Sequence, residues 1–279
     1  MSLSHHFLGT ALIALLFFIA NSDPGWTHGS YHSRVHAASK QVEEEPTSAT
    51  AWLERAMIHA QSQNWKSAES DLERVAQLDP HMPELDLVRG KAMATAGQHG
   101  LAISHLTAFL SQKSDHVSAL VARAQLLVVI GEPAAAARDY DRIISVNKGA
   151  GPDLFVKRAQ AHVAAKDPVR ALKGLREGAD RLGPIVSLHL AMVDIQIKAE
   201  NYDDALESLD AMIRVSPGQA TWQARRGDVL LKAGRDSQAE EAYRLALESI
   251  NRLPDRNRRA PANISLEKSL INKLAAAGR

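Results

Sequence analysis

Apolar positions along residues 49–253 follow a helical rather than a strand period, in helix-length runs broken by short polar segments. In the first run, Trp52, Ala56 and His59 stand at i, i+4 and i+7, one face of a helix ending near Gln61. Gln63 and Asn64 close it and Trp65 fills the turn. Ala68, Leu72 and Val75 mark a second helix that stops at Pro80, because proline lacks an amide hydrogen and clashes with the preceding turn. The pattern then returns: Ala68, Ala102, Ala136, Ala171, Ala205 and Ala239 lie 34, 34, 35, 34 and 34 residues apart. Twelve residues before each stands Ala56, Gly90, Ala124, Ala159, Val193 or Gly227, and four residues after comes Leu72, Leu106, Tyr140, Leu175, Leu209 or Tyr243. Two helices approach closely only where a side chain has almost vanished, so small and large groups are expected to interlock. Gly97, Gly131 and Gly234, seven residues after the small residue, suit a bend of positive φ. The other three bends carry Asn64, Asp167 and Asn201 one place later, which cap the next helix or tolerate the turn.

A period near 34 built from two helices resembles the tetratricopeptide repeat, whose units stack because none buries its apolar face alone. The units are 49–82, 83–116, 117–151, 152–185, 186–219 and 220–253. The resemblance implies an all-α fold, a right-handed α-α superhelix (solenoid) whose first helices line a concave surface that receives an extended peptide or a partner helix. Two units depart from the pattern. Gly178 replaces a core apolar residue before Gly183-Pro184, and Met192-Val193 replaces an Arg-small pair, which predicts a looser or bent middle. Flanking segments read as caps: Val35, Ala38 and Val42 predict a helix over Ser33–Glu45 within residues 23–48. Ile264, Leu266, Leu270, Ile271 and Leu274 predict a covering helix within 254–279, after a polar linker from Arg252 to Pro261.

Three residues from each small position, helix phase turns Leu53, Leu87, Val121, Val156, Leu190 and Ala224 toward the groove. One turn on come Met57, Lys91, Gln125, Gln160, Asp194 and Asp228. The aliphatic row suits hydrophobic anchors of a bound segment and the polar row its backbone or charges, although some of these side chains are also placed to pack between neighbouring helices. Leu53 and Met57 stand where chaperone-tail binders of this family begin a Lys/Asn carboxylate clamp, which argues against that subtype.

Lys and Arg number 33 against 32 Asp and Glu, so the net charge of +1 offers no general attraction to nucleic acid or anionic lipid. The absence of cysteine excludes disulfides, thiolate metal sites and a cysteine nucleophile. Phe7–Ala20 is almost wholly apolar and Ala20-Asn21-Ser22 resembles a small-x-small cleavage site, so residues 1–22 read as a secretory signal and the protein as exported, periplasmic or extracellular. The alternative is an uncleaved anchor, although the run is short of the roughly 20 residues that span a bilayer. After signal removal no stable membrane insertion is expected.

Arg55, Arg89, Arg123, Arg158 and Arg226 precede the small residue in five units. Asp71 and Asp139 lie sixteen residues after Arg55 and Arg123, which favours internal ion pairs over a basic ladder for ligands. His28, His32 and His36 recur at intervals of four and are the weak candidates for a metal. Gly29 places His28 outside the helix, leaving two ligands and no carboxylate before Glu43. His59 and His162 read as core histidines. No phosphate-cradling loop, Gly-x-Ser-x-Gly or His-Glu-x-x-His occurs, so neither catalysis nor a cofactor is expected. The Arg252–Arg259 cluster reads as a solvated linker, and Asn263-Ile264-Ser265 matches a glycosylation acceptor by pattern alone. The composite expectation is an exported scaffold holding a peptide segment or helix of another protein, with a metal or small-ligand carrier using the His28–His36 lead as the alternative.

Overall fold

Proline and glycine punctuation sets the helix boundaries. The computed structural model describes residues 28–215 and 218–277, and the described residues contain fifteen helices and no strand. They fall into two compact units divided between Glu132 and Pro133. The first holds α1 (His28–Glu44), α2 (Ala49–Gln61), α3 (Trp65–Leu78), α4 (Pro83–Thr95), α5 (His99–Gln112) and α6 (Val117–Val129). The second holds α7 (Pro133–Val146), α8 (Pro152–Ala164), α9 (Pro168–Leu182), α10 (Val186–Lys198) and α11 (Tyr202–Val215), then α12 (Gln219–Lys232), α13 (Asp236–Asn251), α14 (Asp255–Arg258) and α15 (Pro261–Ala277). Pro83, Pro133, Pro152, Pro168 and Pro261 each open a helix, where the missing amide hydrogen costs nothing. Within each unit consecutive helices pack on one another in the manner of an α-α solenoid.

All six bends predicted to separate the helices of a hairpin carry a left-handed residue. Gly97, Gly131 and Gly234 have φ of 74°, 81° and 71°. The remaining three do not avoid this conformation: Gln63, Lys166 and Glu200 adopt φ of 59°, 61° and 57°, a strain that side chains seldom accept. Asn64 and Asp167 then cap the next helix, accepting from Ser67 N at 3.5 Å and Arg170 N at 3.0 Å.

The anticipated interlock is present. The six alanines and their six large partners are all buried. A Cβ on Gly90 would stand 2.8 Å from Leu106 Cγ, and one on Gly227 would enter the shell of the Tyr243 ring. Between α8 and α9 a second contact, beside the ordinary one at Ala171 and Leu175, runs the other way. A Cβ on Gly178 would meet Phe155 Cγ at 2.8 Å, so the fully buried Phe155 ring fills the space a core side chain at 178 would have taken. Gly174 likewise makes room for the Arg158 guanidinium. The glycine at 178 therefore reflects an exchange of volumes between two helices and not a gap in the packing.

Both caps are present with altered limits. The first helix begins at His28, five residues before the predicted start, and buries Ala38 and Val42. The last packs Leu266, Leu270 and Leu274 into the core of the α12–α13 hairpin, while Ile264 and Ile271 of the predicted covering face are exposed. The linker contains the single turn α14, in which Arg258 pairs with Asp255 at 2.9 Å.

Gly227→Ala is expected to lower unfolding free energy by about 1–3 kcal/mol, because Tyr243 lacks room to retreat. Gly100→Ala, where an added Cβ meets nothing within 4 Å, should instead stabilise by up to about 1 kcal/mol through helix propensity. Urea titrations followed by circular dichroism distinguish the two signs.

Candidate peptide-binding face

Twelve side chains were predicted to form the groove, and in the structure they separate into a covered row and an open row. Leu53 and Ala224 are buried in the cores of their units. Leu87 and Val121 are half-buried, as are Val156 and Leu190, which pack against core clusters. This row is mainly the wall between neighbouring helices. The second row faces solvent: Met57, Lys91, Gln160 and Asp194 are exposed, Gln125 and Asp228 half-exposed. Lys91 is exposed yet flanked by protein, whose desolvation pushes its ammonium below the ordinary lysine value. A lysine poised this way gains from meeting an anionic group more than a fully hydrated one would.

Two of the polar positions already have partners. Asp194 is paired with Arg225 on the next first helix. Asp228 accepts from the Tyr243 hydroxyl at 2.7 Å and pairs with Lys273 of α15. Burial and that carboxylate together push the Tyr243 phenol well above its usual value, so it remains a donor. Asp228 thus fastens the carboxy-terminal cap to the last hairpin.

A third row completes the face. Ala60, Ala94, Val128, Val163, Ile197 and Leu231 recur with the same 34-residue beat, three residues beyond the open row. All are aliphatic; Val128 and Leu231 are exposed by 49% and 40%, and the other four are half-buried. The i, i+4, i+7 rule applied to Leu53 and Met57 would have found them. In each unit, polar tips therefore stand beside an accessible aliphatic strip.

The arginine series is structural. Arg55 binds Asp71 with two bonds, Nε–Oδ2 at 2.8 Å and Nη2–Oδ1 at 2.7 Å, and that bond raises the guanidinium's pKa. Three others reach back to the second helix of the preceding hairpin: Arg89 to Glu69 at 3.3 Å, Arg123 to Thr107 Oγ1 at 3.1 Å, and Arg226 to Asp210 at 2.8 Å. Arg123 and Asp139 fall in different units. Arg158, buried, donates to Gly174 O at 2.7 Å and Glu177 at 2.8 Å and lies 3.7 Å from Asp141.

His59 and His162 are buried as predicted. His28 is the first residue of α1, not outside it, while His32 and His36 are exposed on that helix. Among the described residues no group of three His, Cys, Asp or Glu is placed to hold a metal ion. The predicted signal, residues 1–22, lies outside the described residues. None of the described helices is long and apolar enough to cross a membrane. A cavity of about 280 Å³ between α9, α10 and α11 is lined by Arg176, Asp180, Met192, Glu207 and His189, whose pKa burial lowers.

Two family models match: a tetratricopeptide repeat-like domain over residues 150–260 and a tetratricopeptide repeat over 87–155. No curated protein matches the sequence. Among solved structures, the C-terminal part of a repeat-containing protein from Cytophaga hutchinsonii superposes with a TM-score of 0.57 at 16% identity, over 89% of this chain and 90% of that one. The Naa15/Naa10 complex bound to HypK-THB gives a TM-score of 0.61 at 17% identity, over 88% of this chain and 37% of that one. Pseudomonas aeruginosa pilF gives 0.51 at 16% identity, over 72% and 90%. At these identities the likeness is one of fold.

Asp71 is buried, so Arg55→Met strands a carboxylate and should cost about 3–5 kcal/mol, against less than about 1 kcal/mol for Arg89→Met, whose partner is exposed. Thermal unfolding of the two variants checks the ranking.

Proposed function

Because the chain belongs to the tetratricopeptide repeat proteins, a class of protein–protein interaction scaffolds, we propose that it is exported and holds a peptide segment or helix of a partner on the face formed by its first helices. The observation that carries this reading is the open row with its adjoining aliphatic strip, Met57, Lys91 and Gln125 beside Val128 in one unit and Gln160 and Asp194 beside Ile197 and Leu231 in the other. A packed wall behind an exposed polar row offers hydrogen bonds to an extended backbone and shallow apolar contact to every third or fourth side chain of a helix. Asp194 and Asp228 contribute chiefly to holding this face in shape, through Arg225 and Lys273.

Export rests on the apolar run Phe7–Ala20 and the Ala20-Asn21-Ser22 site. Intact mass spectrometry of the protein from its native cell is expected to show a chain beginning at Asp23. A full-length chain confined to the cytoplasm would remove export from the reading.

Photo-crosslinking residues placed singly at Met57, Lys91 and Gln160 should capture partner protein, whereas those at Glu73, Lys173 and Glu241, exposed on second helices, should not. Lys91→Glu should weaken capture by about tenfold or more if an anionic group is met there. Equal capture from both faces would refute the groove.

A further inference from the structure

One of the contacts that fasten the amino-terminal cap is made to a buried imidazole. His59 of α2 is 8% exposed, and Tyr31 of α1 lies over it edge to face with ring centroids 6.2 Å apart. The Tyr31 hydroxyl is 3.1 Å from His59 Nδ1, and Asn64 Nδ2 donates to the same hydroxyl oxygen at 3.3 Å. An amide nitrogen only donates, so the Tyr31 oxygen accepts from Asn64, and its own proton is available to a neutral imidazole whose Nδ1 carries no hydrogen. In that arrangement Nδ1 is the acceptor, and protonating it turns the imidazole into a second donor crowding the same oxygen as Asn64. On the far side, His59 Nε2 is 3.8 Å from Asp71, a carboxylate both of whose oxygens are taken by Arg55. Arg55 also reaches Ser39 of α1 at 3.4 Å, and Arg34 of α1 donates to Gln61 at 3.1 Å.

We propose that protonation of His59 releases α1 from the α2–α3 hairpin, making the amino-terminal cap an acid-sensitive latch. A charge on His59 would sit in a largely buried site beside the Arg55 guanidinium, which already offsets the Asp71 carboxylate. The charged and titratable groups around it are Tyr31 on α1, Arg55 on α2 and Asp71 on α3, with Glu43 on α1 acting on Arg55. Burial lowers the imidazole's pKa, Asp71 opposes this, and Arg55 adds to it. Once α1 lifts away, His59 meets water and its pKa returns toward the ordinary value of about 6.5. The released state therefore binds the proton more tightly. Docking is fully stabilised above about pH 6.5 and weakens as pH falls toward the depressed value of the docked state. One linked proton changes the docked-to-released ratio by at most about tenfold per pH unit. Release withdraws Ala38 and Val42 from the hairpin and leaves its first apolar edge open.

Because the chain has no cysteine, spin labels can be placed at Lys40→Cys on α1 and Lys66→Cys on α3, both exposed, in the otherwise intact protein. Pulsed dipolar spectroscopy at pH 7.5 and 5.5 is expected to show a second, longer distance whose share grows several-fold on acidification, while circular dichroism retains the helical signal. His59→Gln should flatten that response. His32→Gln with His36→Gln, exposed on the same helix, should preserve it, as should His189→Gln in the other unit. Tyr31→Phe, which leaves the imidazole in place, should raise the longer-distance share already at pH 7.5. A distance distribution unchanged by pH, a response that survives His59→Gln, or a Tyr31→Phe profile identical to wild type would each overturn the latch.

Discussion

Contact between a nearly absent side chain and a large one on the facing helix is the constraint on which the rest of the chain depends. Where Gly227 meets the Tyr243 ring, or Gly90 meets Leu106, there is no room for one additional carbon. Such contacts hold the two helices at a separation that buries the alanines at 68, 102, 136, 171, 205 and 239 together with their large neighbours. Close packing of this kind has few alternative arrangements, so it fixes rotation as well as distance. Rotation in turn decides which side chains of a first helix look outward.

Polar chemistry follows from that rotation. Once the small residue is pressed inward, the arginine before it can reach only sideways, to the preceding hairpin at Glu69, Thr107 and Asp210 or into its own at Asp71 and Glu177. A series that looks on paper like a ligand-gripping ladder is used to tie neighbours together. The residue one position beyond the small one looks the opposite way and stays wet, as Met57, Lys91 and Gln160 show.

The period made the helices, bends and inward faces legible, because each is a local consequence of residues a few positions apart. What escaped was whatever depends on distant pairing. Asp228 looks like a free groove carboxylate until Lys273, 45 residues away, is seen beside it, and Asp194 has its partner 31 residues on at Arg225. Gln63, Lys166 and Glu200 bend as glycines do because the surrounding contacts demand it, against their own preference. The added length of α1 likewise has its reason elsewhere, in Tyr31 meeting His59 and Asn64. The aliphatic row from Ala60 to Leu231, by contrast, was available to the same periodic reasoning that located the rows beside it.

Phe155 and Gly178 carry an implication for whether the hairpins are interchangeable. In the next hairpin the position of Gly178 is held by Met212, 34 residues on, so a copy pairing the helix of Phe155 with α11 would set the ring against that side chain, and one pairing Gly178 with a smaller residue than Phe155 would leave a void. The Phe155–Gly178 contact therefore makes α8 and α9 specific to one another among the helices of the array.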